Sequence, residues 1–199
     1  MKTCLILDYG VGNISSIRSF FRERNYLVSL GNNVDDIRKT DLLILPGVGS
    51  FNVAIDNIIE KCIGDEIQDR HFANKPILGI CLGLHILTNN SAESPNSIGL
   101  GVFNCPTMRL KELSRIGWGK INFKSENQLL SNEHFFFNHS YGIYDFTDSA
   151  ISASSGFSNY QALLITNKTV GVQFHPEKSQ KSGNMFLNWL EAEIWNLND

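Results

Sequence analysis

Cysteine is the strongest nucleophile among the common side chains once it is a thiolate, and one cysteine here sits in a setting suited to that state. Gly79-Ile80-Cys81-Leu82-Gly83 places it between glycines two residues away on either side. An apolar run precedes it and a helical pattern follows. This is the arrangement of a nucleophile elbow: a sharp strand-to-helix turn that lifts the reactive atom above the sheet edge. The start of the following helix favours thiolate over thiol. Such a nucleophile needs a base that takes its proton and later gives one to a leaving group. Gly171-Val172-Gln173-Phe174-His175-Pro176-Glu177 offers one. His175 titrates near neutrality. Glu177 lies just across Pro176, which favours an extended or turn conformation, and its carboxylate can fix the imidazole tautomer. The expectation is that His175 faces Cys81 and Glu177 backs the ring.

Acyl chemistry also needs donors for an oxyanion. Pro46-Gly47-Val48-Gly49 follows an apolar run, and its glycines allow successive N–H groups to converge on one point. The N–H of Leu82, just past the nucleophile, is a further donor. The other histidines are weaker bases: His71 falls on a polar helix, His134 begins a strand and His139 sits in a loop. Gly10-Val11-Gly12-Asn13-Ile14-Ser15 imitates a dinucleotide fingerprint but has serine at the third glycine position, and no acid follows the second strand at 26–30. Nucleotide binding is not expected.

The elements that must position these groups read as an alternation of strand and helix. Strands are expected at 3–8, 26–30, 41–45 and 76–80. Helices are expected from Ile14 to Phe21, at 51–61 and 65–72 with Gly64 as the break, and from Leu82 to Leu87. This order predicts an α/β fold with a doubly wound, mostly parallel sheet in a single domain, 1–199. Between 99 and 172 the pattern changes to short strand-like runs (102–103, 120–123, 134–137, 162–165, 169–174), expected to add antiparallel strands. Residues 91–97 read as a polar loop. Phe186, Trp189, Leu190, Ile194 and Leu197 form a helical stripe for the core.

Composition bounds the alternatives. A chain of 199 residues, 42% hydrophobic and 19% charged, is globular rather than disordered. A formal charge of -3 without a basic stripe argues against nucleic acid as a partner. No apolar run is long enough for a membrane span, and Asp8 interrupts the first run too early for a signal peptide, so the cytoplasm is the expected location. Cys4, Cys62 and Cys105 are expected to be small buried hydrophobes, and no C-x-x-C pair suggests a metal.

Taken together, the elbow 79–83, the loop 46–49 and the run 173–179 resemble the class I, or triad, glutamine amidotransferases, which share a flavodoxin-like fold. Asp8-Tyr9-Gly10-Val11-Gly12-Asn13, Gly117-Trp118, His139-Ser140-Tyr141 and Phe174-His175-Pro176-Glu177-Lys178-Ser179 extend the resemblance to the glutaminase subunits of imidazole glycerol phosphate synthase, over essentially the whole chain. The resemblance implies a Cys81–His175–Glu177 triad that hydrolyses glutamine. It implies oxyanion donors from Gly47, Val48, Gly49 and Leu82, and a substrate site formed by Gly49, His85, His139, Ser140 and Tyr141. It further implies a heterodimer with a (β/α)8-barrel synthase that uses the ammonia, through a surface including Asn13, Trp118 and Lys178. The barrel would form imidazole glycerol phosphate and an aminoimidazole carboxamide ribonucleotide in histidine biosynthesis, and no cofactor or metal is implied. Three positions depart from the family pattern: His85 replaces a glutamine, Gly119 an asparagine, and Ser114-Arg115 a Pro-His pair. They leave room for a paralogue feeding another barrel and another acceptor, such as a surface amidino sugar. A stand-alone cysteine hydrolase with the same elbow, and a degraded glutaminase kept as a binding subunit, are the more distant readings.

Overall fold

A computed structural model describes residues 1–197 except 11, 113, 124–129, 132, 145, 147–150 and 156–158. The chain begins with β1 (Thr3–Leu7), α1 (Ile14–Arg22), β2 (Leu27–Gly31), α2 (Val34–Lys39), β3 (Leu42–Leu45), α3 (Phe51–Glu60), α4 (Gly64–Phe72), β4 (Ile77–Ile80) and α5 (Leu82–Ile86). It continues through β5 (Thr88–Ser91), β6 (Phe103–Arg109), β7 (Arg115–Phe123), β8 (His134–His139), β9 (Tyr141–Gly142), β10 (Ile151–Ser155), β11 (Gln161–Thr166), β12 (Thr169–Val172) and β13 (Phe174–His175). A 3-10 turn (Pro176–Lys178), α6 (Gln180–Trp189) and a π-helical turn (Leu190–Ile194) end it.

The ten-stranded main sheet runs β13-β8-β7-β10-β11-β12-β4-β3-β1-β2. β2, β1, β3, β4 and β12 are mutually parallel, and the other half is antiparallel. This is the expected doubly wound sheet with antiparallel additions. Side chains of the parallel strands alternate between two cores. Cys4, Ile6, Leu42, Ile44, Leu78 and Ile80 face the layer holding α1 and α6, while Leu5, Leu7, Leu43, Leu45 and Ile77 face the layer holding α3, α4 and α5. Burial on both faces explains why these strands are uninterrupted apolar runs.

Several boundaries differ from the sequence reading. Cys62, not Gly64, breaks the helical run: it adopts φ 52° and is exposed, and Gly64 already belongs to α4. The expectation of a buried Cys62 is therefore corrected, because a chain reversal on the surface puts its side chain outside. α5 stops at Ile86 and the chain turns at once into β5, which joins β6 and β9 in a small second sheet. Residues 88–91 are thus strand, and 91 closes that strand rather than opening a loop. His139 ends β8 instead of lying in a loop. His71 does lie on α4, but it is buried and its Nδ1 hydrogen-bonds the Thr169 hydroxyl at 2.8 Å. The run 169–174 is two strands: β12 pairs with β4, β13 pairs with β8, and Gln173 stands between.

Candidate active site

The parallel strands β4, β3 and β12 end side by side, the usual place for a site in an open α/β sheet. Register puts Ile80 beside Val172, and the N–H of Cys81 donates to the Val172 carbonyl at 2.7 Å. Cys81 follows β4 in a left-handed conformation, φ 50° and ψ -102°, which few non-glycine residues occupy. The turn is tight enough to dictate its neighbours. A Cβ on Gly47 would lie 1.7 Å from the Ile80 carbonyl oxygen, and one on Gly83 would lie 2.1 Å from the Leu45 carbonyl oxygen. The 46–49 loop and the elbow are therefore in backbone contact, with no room for a methyl group. Gly47→Ala is expected to destabilise the fold by about 3 kcal/mol, measured by urea unfolding. An unchanged midpoint would show that the loop moves away without cost.

β13 and β8 bring in the second group. His175 pairs with Phe136, and its Nδ1 lies 2.9 Å from Glu177 Oε1 across the 3-10 turn. The turn is fixed by Ser179, whose hydroxyl donates to the His175 carbonyl at 2.6 Å and accepts from the Phe136 N–H at 3.0 Å. With Nδ1–H directed at the carboxylate, Nε2 is left for the sulfur. Burial works against a charged imidazole here, but hydrogen bonds to Cys81 and Glu177 and their negative charges overcome it, holding the His175 pKa up at about 9. Sulfur, imidazole and carboxylate thus meet in the expected order. Glu177 Oε2 is buried without a hydrogen-bond partner among the described residues, so His175 is the group that stabilises its charge.

A cleft of about 200 Å³ opens over the sulfur. It is lined by Gly47, Val48 and Gly49, by Cys81, Leu82 and His85, by residues 138–141 at the end of β8, and by Glu93. Every residue assigned from sequence to the oxyanion and substrate positions lies on it. Leu82 opens α5, where backbone N–H groups have no intrahelical acceptor; the N–H groups of Leu84 and His85 return to the Cys81 carbonyl. The His139 imidazole is committed to the Tyr141 carbonyl at 2.7 Å and the Tyr160 hydroxyl at 3.1 Å. Burial pushes its pKa down to about 3, so it is a fixed, uncharged part of the wall. His85 is likewise neutral: burial lowers it to about 4 despite a hydrogen bond to Gln173.

The chain matches the family described as glutamine amidotransferase class-I over residues 5–192. It belongs to the class I glutamine amidotransferases. Among relatives of this amidotransferase, the imidazole glycerol phosphate synthase subunit HisH of Lactococcus lactis subsp. lactis is 33% identical, with 98% of this chain and 100% of the relative covered. The subunit of the same name from Prochlorococcus marinus is 36% identical, covering 93% of this chain and 92% of the relative. A crystal structure of a glutamine amidotransferase superposes with a TM-score of 0.77 at 17% identity, over 96% of this chain and 98% of that one, and shows the shared fold.

Sequence reasoning missed three residues of the amidotransferase site. Asn138 offers its carbonyl to the Cys81 thiol at 3.7 Å. Glu93 supplies the cleft's acidic group, and burial raises its carboxyl above the usual range. Gln173 is wholly buried and donates from Nε2 to the Cys81 sulfur at 3.7 Å. Only Gln173 left a signal, as a polar residue inside an apolar run next to the histidine. The residues assigned to a partner surface are placed as follows. Trp118 is 44% exposed, and its ring lies edge-on to Phe136 with centroids 6.0 Å apart. Lys178 extends over the same Phe136 ring at 5.7 Å. Asn13 precedes α1, which packs against the 3-10 turn carrying Lys178.

Proposed function

We propose that this amidotransferase hydrolyses glutamine at Cys81 and delivers the ammonia to a (β/α)8-barrel synthase subunit in histidine biosynthesis, forming imidazole glycerol phosphate and an aminoimidazole carboxamide ribonucleotide. The observation that carries the reading is the alignment of Cys81, His175 and Glu177 beneath one small polar cleft. The names of the curated relatives support the pathway and the subunit role.

In this mechanism the sulfur attacks the side-chain amide carbon of glutamine. The carbonyl oxygen becomes negative and is met by N–H groups of Leu82 and of the 47–49 loop. The C–N bond then breaks, and the imidazolium of His175 gives its proton to the departing ammonia. Water attacks the resulting thioester, His175 takes its proton, and glutamate leaves. The carboxylate of Glu93 is placed to pair with the substrate's α-ammonium, which would offset the burial that now disfavours its charge. His85 and the 139–141 wall complete the substrate site.

Ser114, Arg115 and Gly119, which bracket Trp118 in and beside β7, depart from the family pattern. They leave room for the second reading, in which the same glutaminase feeds another barrel and another acceptor. The test is to mix the purified chain with glutamine and a cyclase subunit of imidazole glycerol phosphate synthase, with and without that subunit's nucleotide ligand, and to measure glutamate. Little glutamate is expected from the chain alone, with strong stimulation by the liganded partner. Stimulation by a different barrel alone would assign the second reading. Absence of glutamate with every barrel tried would overturn the glutaminase reading.

A further inference from the structure

Besides His175 and the Asn138 carbonyl, the sulfur of Cys81 has a polar neighbour that donates to it. Gln173 sits at the break between β12 and β13, with its backbone N–H donating to the Ala162 carbonyl at 2.9 Å and its side chain fully buried. Its Nε2 donates to Cys81 Sγ at 3.7 Å. Its Oε1 accepts from His85 Nε2 at 2.8 Å. A carboxamide has one acceptor end and one donor end. A donor fixed on the oxygen therefore decides which end meets the sulfur.

We propose that Gln173 is a catalytic hydrogen-bond donor to the Cys81 thiolate, and that His85 is the positioning residue that keeps its N–H2 group turned toward the sulfur. The inference deepens the glutaminase reading on which it rests, adding a second stabilising contact to the sulfur besides His175. It also gives His85 a role distinct from touching substrate. With its proton on Nε2, neutral His85 donates to Gln173, so this tautomer and the amide orientation support each other; reversing the amide would set two donors face to face unless the imidazole proton moved to Nδ1. Burial holds His85 neutral through the physiological range, so the orientation does not titrate there. Among the described residues, the titratable groups around the sulfur are His175 with Glu177 behind it, Tyr9 near the sulfur, and His85, His139, Tyr141 and Glu93 on the cleft.

The experiment follows the rate of iodoacetamide alkylation of Cys81 in the full chain against pH, read by peptide-resolved mass spectrometry so that exposed Cys62 is counted separately. A hydrogen bond to a charged group is worth roughly tenfold in such an equilibrium. Gln173→Met keeps the side chain's length and removes the donor. Its inflection is expected to rise by about one pH unit, with alkylation roughly tenfold slower below both inflections. His85→Ala is expected to shift the inflection the same way, His85→Gln to restore it, and the double variant with Gln173→Met to shift it no further than Gln173→Met alone. Should Gln173→Met fail to fold, judged by circular dichroism, the two His85 variants decide. An unchanged inflection in the folded Gln173 variant, or in His85→Ala, overturns the proposal, as does full additivity in the double variant. Because the assay contains no glutamine, its outcome is independent of whether the chain proves to be a glutaminase.

Discussion

Replacing Cys81 by alanine is expected to remove partner-stimulated glutamate release by a factor on the order of 10⁴ or more, since no other group on the cleft can form the thioester. The remaining cysteines do not compete: Cys4 and Cys105 are buried elsewhere in the two cores and Cys62 lies on the surface. Cys81→Gly separates chemistry from conformation. At φ 50° and ψ -102° any side chain is strained, at a cost of about 1–3 kcal/mol. Glycine removes that strain while keeping the turn, and it loses only a small side chain. The glycine variant is therefore expected to be equally inactive yet more resistant to unfolding than Cys81→Ala, by about 1 kcal/mol. Urea denaturation of both variants checks this, and glutamate assays check the loss. Retained stimulated turnover in either variant would remove Cys81 from the mechanism. Equal stabilities would mean that the elbow is relaxed rather than held by its neighbours.

The elbow was legible in the sequence because close backbone approach leaves a compositional trace. Gly47 and Gly83 cannot be replaced without meeting the Ile80 or Leu45 carbonyls, so the contact of two distant segments is written as glycine. The parallel half of the sheet was legible for a similar reason: strands buried on both faces must be apolar throughout. Other elements leave weaker traces. β10 is Ile-Ser-Ala-Ser-Ser, a poor strand former by composition, and it is a strand because β7 and β11 flank it. α2 spans six residues with only Ile37 buried, too short for a helical period. The division of 169–174 at Gln173 was hidden because both parts are apolar, and the change of partner from β4 to β8 is a tertiary fact. The same division puts Gln173 against the sulfur, so the least legible junction lies closest to the chemistry. Glu93 was hidden for a different reason. It follows β5, a strand that local pattern did not reveal, and only the fold carries it back to the cleft.

Glu177→Gln is expected to lower stimulated turnover by roughly 10²–10⁴-fold while leaving the fold intact. The carboxylate accepts from Nδ1 at 2.9 Å and so commits Nε2 to the sulfur; an amide can present either its oxygen or its N–H2 group, and the tautomer is no longer imposed. The same change alters the proton affinity of His175. Burial pulls its pKa down, and Cys81 and Glu177 together lift it to about 9. The folded state therefore holds this proton more tightly than the unfolded chain, where an imidazole has a pKa of about 6.5. The resulting stabilisation is fully present below about pH 6.5 and is lost as pH rises through about 9. Removing the Glu177 charge lowers the folded pKa and erases part of that contribution. The stability gap between the parent chain and Glu177→Gln should consequently be wider at pH 6 than at pH 9.5, as measured by urea unfolding at the two values. Histidine proton resonances followed against pH should show one imidazole with a falling pKa in the variant. A gap that is constant with pH, or a His175 resonance that titrates unchanged, would mean that the carboxylate orients the ring without holding its charge. The imidazolium of the resting site would then owe its stability to the sulfur alone, a support that disappears once the sulfur has bonded to the amide carbon.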